Sequence, residues 1–250
     1  MKSYSKINWS LRITGKRADG FHDLETVFQT ISLHDELTFR PSSSLSLVCD
    51  DPAIPTDDTN LVMRAAKLAG APPLAIELKK RIPAGGGLGG GSSNAATTLV
   101  ALGRADPALA LSLGSDVPFF LLGGTAYATG RGEVLTPLPS RDGVPLLLLL
   151  PEERVLTKDA FARITSYSPP LGIDAYREGY ENFTNDFEEP VFAMIPRLRT
   201  LKERLSAAGA RWASMTGSGS TIVGAFATAA ARDGAAAAFD DVRVERAETI

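Results

Sequence analysis

Cysteine occurs once in the 250 residues, at position 49, so neither an intrachain disulfide nor a cysteine-rich metal site can form. Histidine occurs twice. Carboxylates and hydroxyls therefore remain as metal ligands, a set that suits Mg2+ better than Zn2+, and no resident protein metal centre is expected. A large excess of charge of either sign is missing as well, with 26 Lys and Arg against 29 Asp and Glu. The net charge of −3 gives no electrostatic basis for a nucleic-acid partner or a membrane surface, so phosphate binding must come from local amides and a few placed cations. The longest aliphatic run, Leu146 to Leu150, is far too short to span a bilayer and reads as a buried strand. The opening MKSYSKINWSLRITGKR lacks the apolar stretch of a signal peptide, and the expected location is cytoplasmic. What is present, 44% hydrophobic and 22% charged residues, fits a globular chain with an ample core.

Glycine is concentrated in one place. Pro83 to Ala96 reads PAGGGLGGGSSNAA, with six glycines in the seven positions from Gly85, then two serines and a helical pattern. Such a backbone can wrap closely around an anion. A helix starting near Ser92 would point its unpaired N–H groups and positive dipole end into that wrap. No lysine follows the glycines, so the segment is not a GxxxxGK[ST] loop. Gly85, Gly87 and Gly90 satisfy GxGxxG, but no ordinary βαβ unit surrounds them. A flexible linker would not run straight from an alternating strand (Leu74, Ile76, Leu78) into an apolar helix (Ala95 to Leu102).

Elsewhere Ile7, Trp9, Leu11 and Ile13 alternate as in a half-buried strand, followed by a turn at Thr14 to Gly20 and an extended region from Leu24 to Phe39. Strands are also expected at Leu45–Val48, Leu74–Leu78, Leu146–Leu150, Trp212–Met215, Thr221–Phe226 and Val242–Val244. Asp57–Ala69, Thr157–Ile164, Pro196–Ala208 and Thr228–Phe239 read as helices, the first with its apolar stripe at Leu61, Ala65 and Leu68. Gly123–Glu133 reads as strand plus turn, and the Pro/Gly-containing connector Pro137–Pro145 is the expected domain boundary, giving units 1–140 and 141–250. Strands and helices interleave without strict βαβ repetition, an α+β layout.

Four features hold candidate chemistry, each with a plain alternative. Asp116, in GSDVPFF, sits between a glycine turn and an intensely apolar segment, as a functional carboxylate or as a helix N-cap. Lys6 lies in an alternating strand, where an exposed edge lysine is the commoner case. Phe21 and His22 follow a turn, and by default would be a staple onto the core and a solvated histidine. MTGSGS, Met215 to Ser220, is either a tight hairpin or a second anion cradle.

In combination these segments resemble the GHMP small-molecule kinases, whose PxGxGLGxSS-like phosphate loop corresponds to Pro83–Ser93. More narrowly, the chain is similar to the kinases of 4-diphosphocytidyl-2-C-methyl-D-erythritol in the non-mevalonate (MEP) isoprenoid pathway. The supporting segments are SKINWSLRITGKRADGFHDLETVFQTISLHDEL (Ser5–Leu37), the glycine loop, LGSDVPFFLLGGTAYATGRGE (Leu113–Glu133), NDFE (Asn185–Glu188) and MTGSGST (Met215–Thr221).

The resemblance implies a two-domain GHMP kinase fold, with a ribosomal S5 domain 2-like N-terminal domain, a ferredoxin-like C-terminal domain and the site between them. It implies transfer of the ATP γ-phosphoryl group to the acceptor's 2-hydroxyl, with Mg2+ bridging the phosphates. On matching positions Asp116 is the general base and Lys6 its electrostatic partner, and Asn8 helps hold substrate hydroxyls. Pro83, Ala84, Gly85, Gly86, Gly87, Leu88, Gly89, Gly90, Gly91, Ser92 and Ser93 wrap the ATP phosphates, with Asn60 near the adenosine. Phe21, His22 and Phe183 read the cytosine ring, and Gly217 and Ser218 close over the substrate side. Phe21 stands where the family usually has Tyr, and Gly103–Ser112 is shorter than the family's helical segment, which leaves open how Asp116 is supported. The expected partner is a small molecule, and the expected state a monomer or weak homodimer. The alternatives are another GHMP kinase, for which an aromatic base clamp would be needless, and a catalytically silent nucleotide-binding protein.

Overall fold

A computed structural model describes residues 1–177 and 179–250. Two sheets organise them. The first contains β1 (Lys2–Lys16), β2 (His22–Pro41), β3 (Ser46–Cys49), β4 (Leu74–Lys79), β5 (Thr125–Thr129) and β6 (Val134–Leu138) in the order β3-β4-β2-β5-β6, with β1 antiparallel to β2. The second contains β7 (Pro145–Leu150), β8 (Trp212–Met215), β9 (Ile222–Ala225) and β10 (Arg243–Glu248) in the order β10-β7-β9-β8, every pair antiparallel. Counted within that sheet the order is 4-1-3-2, which is the ferredoxin-like arrangement.

Strand β1 joins the two sheets' cores. Its Ile7 and Trp9 pack with Leu146, Leu148 and Trp212, whereas Leu11 and Ile13 pack with Leu147 and Leu149. Four odd-numbered residues thus serve opposite faces of β7. A register shift between Asn8 and Ser10 re-aims the strand midway, as bulges do. Lys6 and Asn8, of the other parity, are left on the side away from Ile7 and Trp9.

Four helices cover the first sheet: α1 (Leu61–Leu68), α2 (Gly90–Ala101), α3 (Pro107–Leu113) and α4 (Val117–Leu122). Helix α1 starts at Asn60, whose Oδ1 accepts from Val62 N at 2.8 Å. Its buried face is Val62, Met63, Ala65 and Ala66, and Leu68 is 41% exposed. The expected stripe is rotated because α1 serves two partners. Val62, Met63 and Ala66 face the sheet residues Leu37, Ile76 and Leu78, while Ala65 faces Ala95 and Leu99 of α2.

Short Gly103–Ser112 still makes a support for Asp116. Asp106 caps α3 through bonds from Ala108 N (2.7 Å) and Leu109 N (3.2 Å), and Pro107 follows in the first turn. Ala110 and Leu113 then pack with Val117, Ala69 and Leu99. A capped helix of seven residues, about two turns, makes this support.

The second sheet is covered by α5 (Thr157–Phe161), α6 (Glu188–Met194), α7 (Pro196–Ala207) and α8 (Ala229–Ala236). The expected helix at Thr157–Ile164 ends sooner, at Phe161. Strand β6 runs into the expected connector, with Pro137 paired to Ala126 and Leu138 to Thr125. Proline is tolerated there because β6 is the sheet's edge. Among the described residues no helix is long and apolar enough to cross a membrane.

Candidate active site

The glycine segment links β4 to α2, and its backbone is committed to a single shape. Gly89 adopts φ 71 at the helix N-cap, so α2 begins at Gly90 rather than near Ser92. Gly87 adopts φ 78, and a Cβ there would lie 2.1 Å from the carbonyl oxygen of Thr216. Loop and MTGSGS turn therefore meet backbone to backbone, with Thr221 N donating to Gly86 O at 3.3 Å. Among the described residues, none of the N–H groups of Gly87 to Ser92 donates to a protein acceptor; the first helical donor is Ser93 N, to Gly89 O. A row of unpaired amides at a helix start is a cradle for an anion.

Lys6 lies beneath this cradle, 3% exposed. Its Nζ donates to Asn8 Oδ1 at 2.7 Å and to Gly87 O at 2.9 Å, and stands 3.9 Å from Asp116 Oδ2. Burial pushes the ammonium pKa down, and the Asp116 charge opposes that fall. Asp116 occupies the N-cap position of α4, but its side chain makes no cap hydrogen bond. The N-cap alternative thus explains its backbone and not its carboxylate, which faces Lys6.

These residues share one cavity of about 910 Å3. Lys6, Asn8, Phe21, His22, Asn60, Asp116, Gly217, Ser218 and the run from Pro83 to Ser92 all reach its wall. Asn8 and Asn60 do so with their side chains engaged. Asn8 Oδ1 also accepts from Gly217 N at 3.0 Å and its Nδ2 donates to Thr26 Oγ1 at 2.8 Å, making it a bracket for Lys6 and the MTGSGS turn. The Asn60 amide, besides its cap, donates to Pro55 O at 2.6 Å. Ser218 Oγ lies 3.0 Å from Thr157 Oγ1.

Two expected residues are elsewhere. Ser93 is buried, donating to Tyr4 O at 2.6 Å with its Oγ 2.7 Å from Ser3 Oγ. Its own N–H closes the first helical turn, so neither group faces the cavity. Phe183 is half-buried against the core cluster that contains Trp9, edge-on to Tyr176 at 5.0 Å, and its carbonyl accepts from Trp212 Nε1 at 3.1 Å. The aromatic partner of His22 is instead Phe161, stacked at 4.7 Å and 15°, with Tyr167 at 6.3 Å. Burial, with the nearby Lys16 charge, pushes the His22 pKa below its ordinary value.

Phe161, Tyr167, Lys80, Arg131 and Thr157 also line the cavity and were not singled out in the sequence. Helical spacing marks Phe161 as apolar but does not say which sheet its helix will face. Lys80 forms an ion pair with Asp35, a fully buried carboxylate. Asp35 also accepts from Arg81 N (2.7 Å), Ile82 N (2.9 Å) and Asn94 Nδ2 (3.0 Å). It thereby ties both stems of the glycine loop to β2. A charged residue within the alternating β2 pattern was the available signal.

NDFE also finds its role. Asn185 Nδ2 donates to Met215 O (2.7 Å) and Gly217 O (2.8 Å), and Glu188 Oε1 accepts from Met215 N at 2.9 Å. Both hold the MTGSGS turn against the loop.

The profile described as GHMP kinases N terminal domain matches residues 60–124, and that described as GHMP kinases C terminal matches 174–243. The 4-diphosphocytidyl-2-C-methyl-D-erythritol kinase of Chlorobium limicola is 42% identical over 252 residues, covering 90% of this chain and 88% of that protein. The chloroplastic kinase of the same name from Mentha piperita is 40% identical, covering 88% of this chain and 62% of its own length. A crystal structure of a 4-(cytidine 5'-diphospho)-2C-methyl-D-erythritol kinase superposes with a TM-score of 0.88 at 36% identity, over 100% of this chain and 98% of that one. The mevalonate kinase of Methanococcus jannaschii shares the fold, with a TM-score of 0.71 at 13% identity over 100% of this chain and 98% of its own. With relatives this similar over nine-tenths of its length, the chain belongs to the 4-diphosphocytidyl-2-C-methyl-D-erythritol kinase family of GHMP kinases.

Proposed function

We propose that this chain transfers the γ-phosphoryl group of ATP to the 2-hydroxyl of 4-diphosphocytidyl-2-C-methyl-D-erythritol, yielding the 2-phosphate and ADP. The observation that carries the reading is the Lys6–Asp116 pair, 3.9 Å apart, in the same cavity as the row of unpaired loop amides and the His22 ring. Phosphoryl transfer needs positioning and charge stabilisation more than covalent help from the protein. In this reading the Gly85–Ser92 backbone holds the ATP phosphates, with Asn60 toward the adenosine. Asp116 takes the proton of the 2-hydroxyl as its oxygen bonds to the γ-phosphorus and the bond to the β-phosphate oxygen breaks. Lys6 offsets charge on the transferring group.

Among the described residues there is no group of three or more His, Cys, Asp or Glu able to cage a metal. That donor set fits Mg2+ held chiefly by the nucleotide phosphates, with Asp116 and Ser92 as the protein oxygens on the same wall. Bound there, the ion neutralises charge on the phosphate oxygens. We assign the N-terminal unit to 1–140 and the C-terminal unit to 141–250, since the first sheet ends at Leu138 and the second starts at Pro145. The proposed state is a monomer or weak homodimer.

The test is to mix the purified protein with Mg2+-ATP and the cytidyl acceptor, following ADP release and the new phosphomonoester by phosphorus NMR. Homoserine and mevalonate serve as controls. A monoester confined to the cytidyl compound supports the reading. Transfer to either control instead overturns the acceptor, and ATP binding without any transfer overturns the activity.

A further inference from the structure

We propose that Arg131 is a specificity-determining residue that holds the anionic diphosphate of the acceptor between its two ends. The inference rests on the cytidyl reading above. That reading puts the erythritol hydroxyl at Asp116 and the cytosine at His22, and the diphosphate must cross the wall between them.

The turn Gly130-Arg131-Gly132 between β5 and β6 occupies that wall. A Cβ on Gly132 would lie 4.0 Å from Asp116 Oδ1 and 3.5 Å from the Phe28 ring, so one end of the turn abuts the Asp116 carboxylate. At the other end the Arg131 guanidinium lies 4.7 Å from the centroid of the Phe21 ring, next in sequence to His22. Both Arg131 and Phe21 line the cavity.

Arg131 is also held in a defined pose. Glu133 accepts from its backbone N–H at 2.5 Å and lies 3.6 Å from its Nε, while the Phe21 face supports the guanidinium plane. The guanidinium itself makes no hydrogen bond among the described residues, so its fork keeps donors for a ligand. Of the lysines on the same wall, Lys6 is engaged with Asn8 and Gly87 and Lys80 with Asp35, while Lys16 and Lys158 offer point charges without a planar fork. A planar fork is suited to phosphate oxygens, which it meets in pairs.

A supporting role for Arg131 is the competing account: it could serve only to prop Phe21 against the base. The two differ in which part of the ligand they affect. Calorimetric titration of the full chain, saturated with Mg2+ and a non-hydrolysable ATP analogue, is made with cytidine and separately with CDP. For the wild type CDP binds more tightly than cytidine. For Arg131→Met the affinity for CDP falls about tenfold, while that for cytidine changes by less than about twofold. Arg131→Lys, which keeps the charge and loses the fork, falls between. Equal losses for both ligands, or no loss for CDP, overturn the diphosphate role and leave the cytidyl reading standing. A wild type that binds neither ligand overturns the cytidyl reading and this inference with it.

Discussion

Lys6 Nζ stands 3.9 Å from Asp116 Oδ2, while its two hydrogen bonds go to Asn8 Oδ1 and Gly87 O. The lysine is thus fixed by neutral partners and aimed at the carboxylate by charge. That arrangement keeps the carboxylate oxygens open to a hydroxyl. Asp116→Asn preserves the shape and removes the base, so kcat is expected to fall by about 100-fold or more while nucleotide affinity is retained. Steady-state rates and calorimetric ATP titration check this, and near-normal turnover would remove Asp116 from the mechanism.

Gly87 is the position where the loop has least room. Gly87→Ala would place a Cβ 2.1 Å from the Thr216 carbonyl oxygen and demand φ 78 of an L residue. Either the loop or the MTGSGS turn must move, so ATP affinity is expected to drop by about tenfold or more, with a loss of stability of about 2 kcal/mol. Gly91→Ala is the control, since its nearest neighbour is Leu61 Cδ1 at 3.6 Å and no positive φ is required. Denaturant unfolding and ATP titration of the pair would refute the steric account if both variants behaved alike.

The parts of this molecule that were legible in the sequence are those where chemistry and local pattern coincide. Six glycines between an alternating strand and an apolar helix read as a close-approach backbone rather than a linker, and the odd-numbered apolar set of β1 reads as a strand. Lys6 and Asp116 were legible as a pair through the family resemblance, not through spacing, because a separation of 110 positions says nothing of a 3.9 Å approach. The aromatic wall was only half legible. Phe21 and His22 follow a turn next to the site, whereas Phe161 comes from a helix of the other sheet. Phe183 and Phe161 are equivalent as apolar residues, and only packing sets the former against Tyr176 at the edge of the Trp9 cluster. Strand β6 was missed because Pro137 argues against a strand unless it is known to lie on an edge.

The exchange of Phe183 for Phe161 has separable consequences. Phe161→Ala is expected to weaken cytidine binding about tenfold, the scale of a lost base–aromatic stack. Phe183→Ala should leave that affinity unchanged and lower stability by about 2 kcal/mol, since it leaves a gap beside Tyr176. Parallel cytidine titration and denaturant unfolding distinguish the two. A cytidine defect confined to Phe183→Ala would restore the sequence-based assignment.

His22 gives a pH test with a definite sign. Burial, aided by the Lys16 charge, holds its pKa below 6.5, so at neutral pH the ring is uncharged, with one donor and one acceptor nitrogen. The folded state then binds less proton than the unfolded chain, so this ring's contribution to stability declines as pH falls below 6.5. Cytidine affinity should be level from about pH 8 to 6.5 and weaken only under more acid conditions, as a charged ring loses its acceptor. Lys16→Gln removes one of the two causes, so the fall should begin at higher pH than in the wild type. An NMR titration of the His22 ring, run beside cytidine binding, reads both effects. A ring that titrates above 6.5 in the folded protein would sink the neutral-ring account, and an unmoved titration in Lys16→Gln would leave burial as the sole cause.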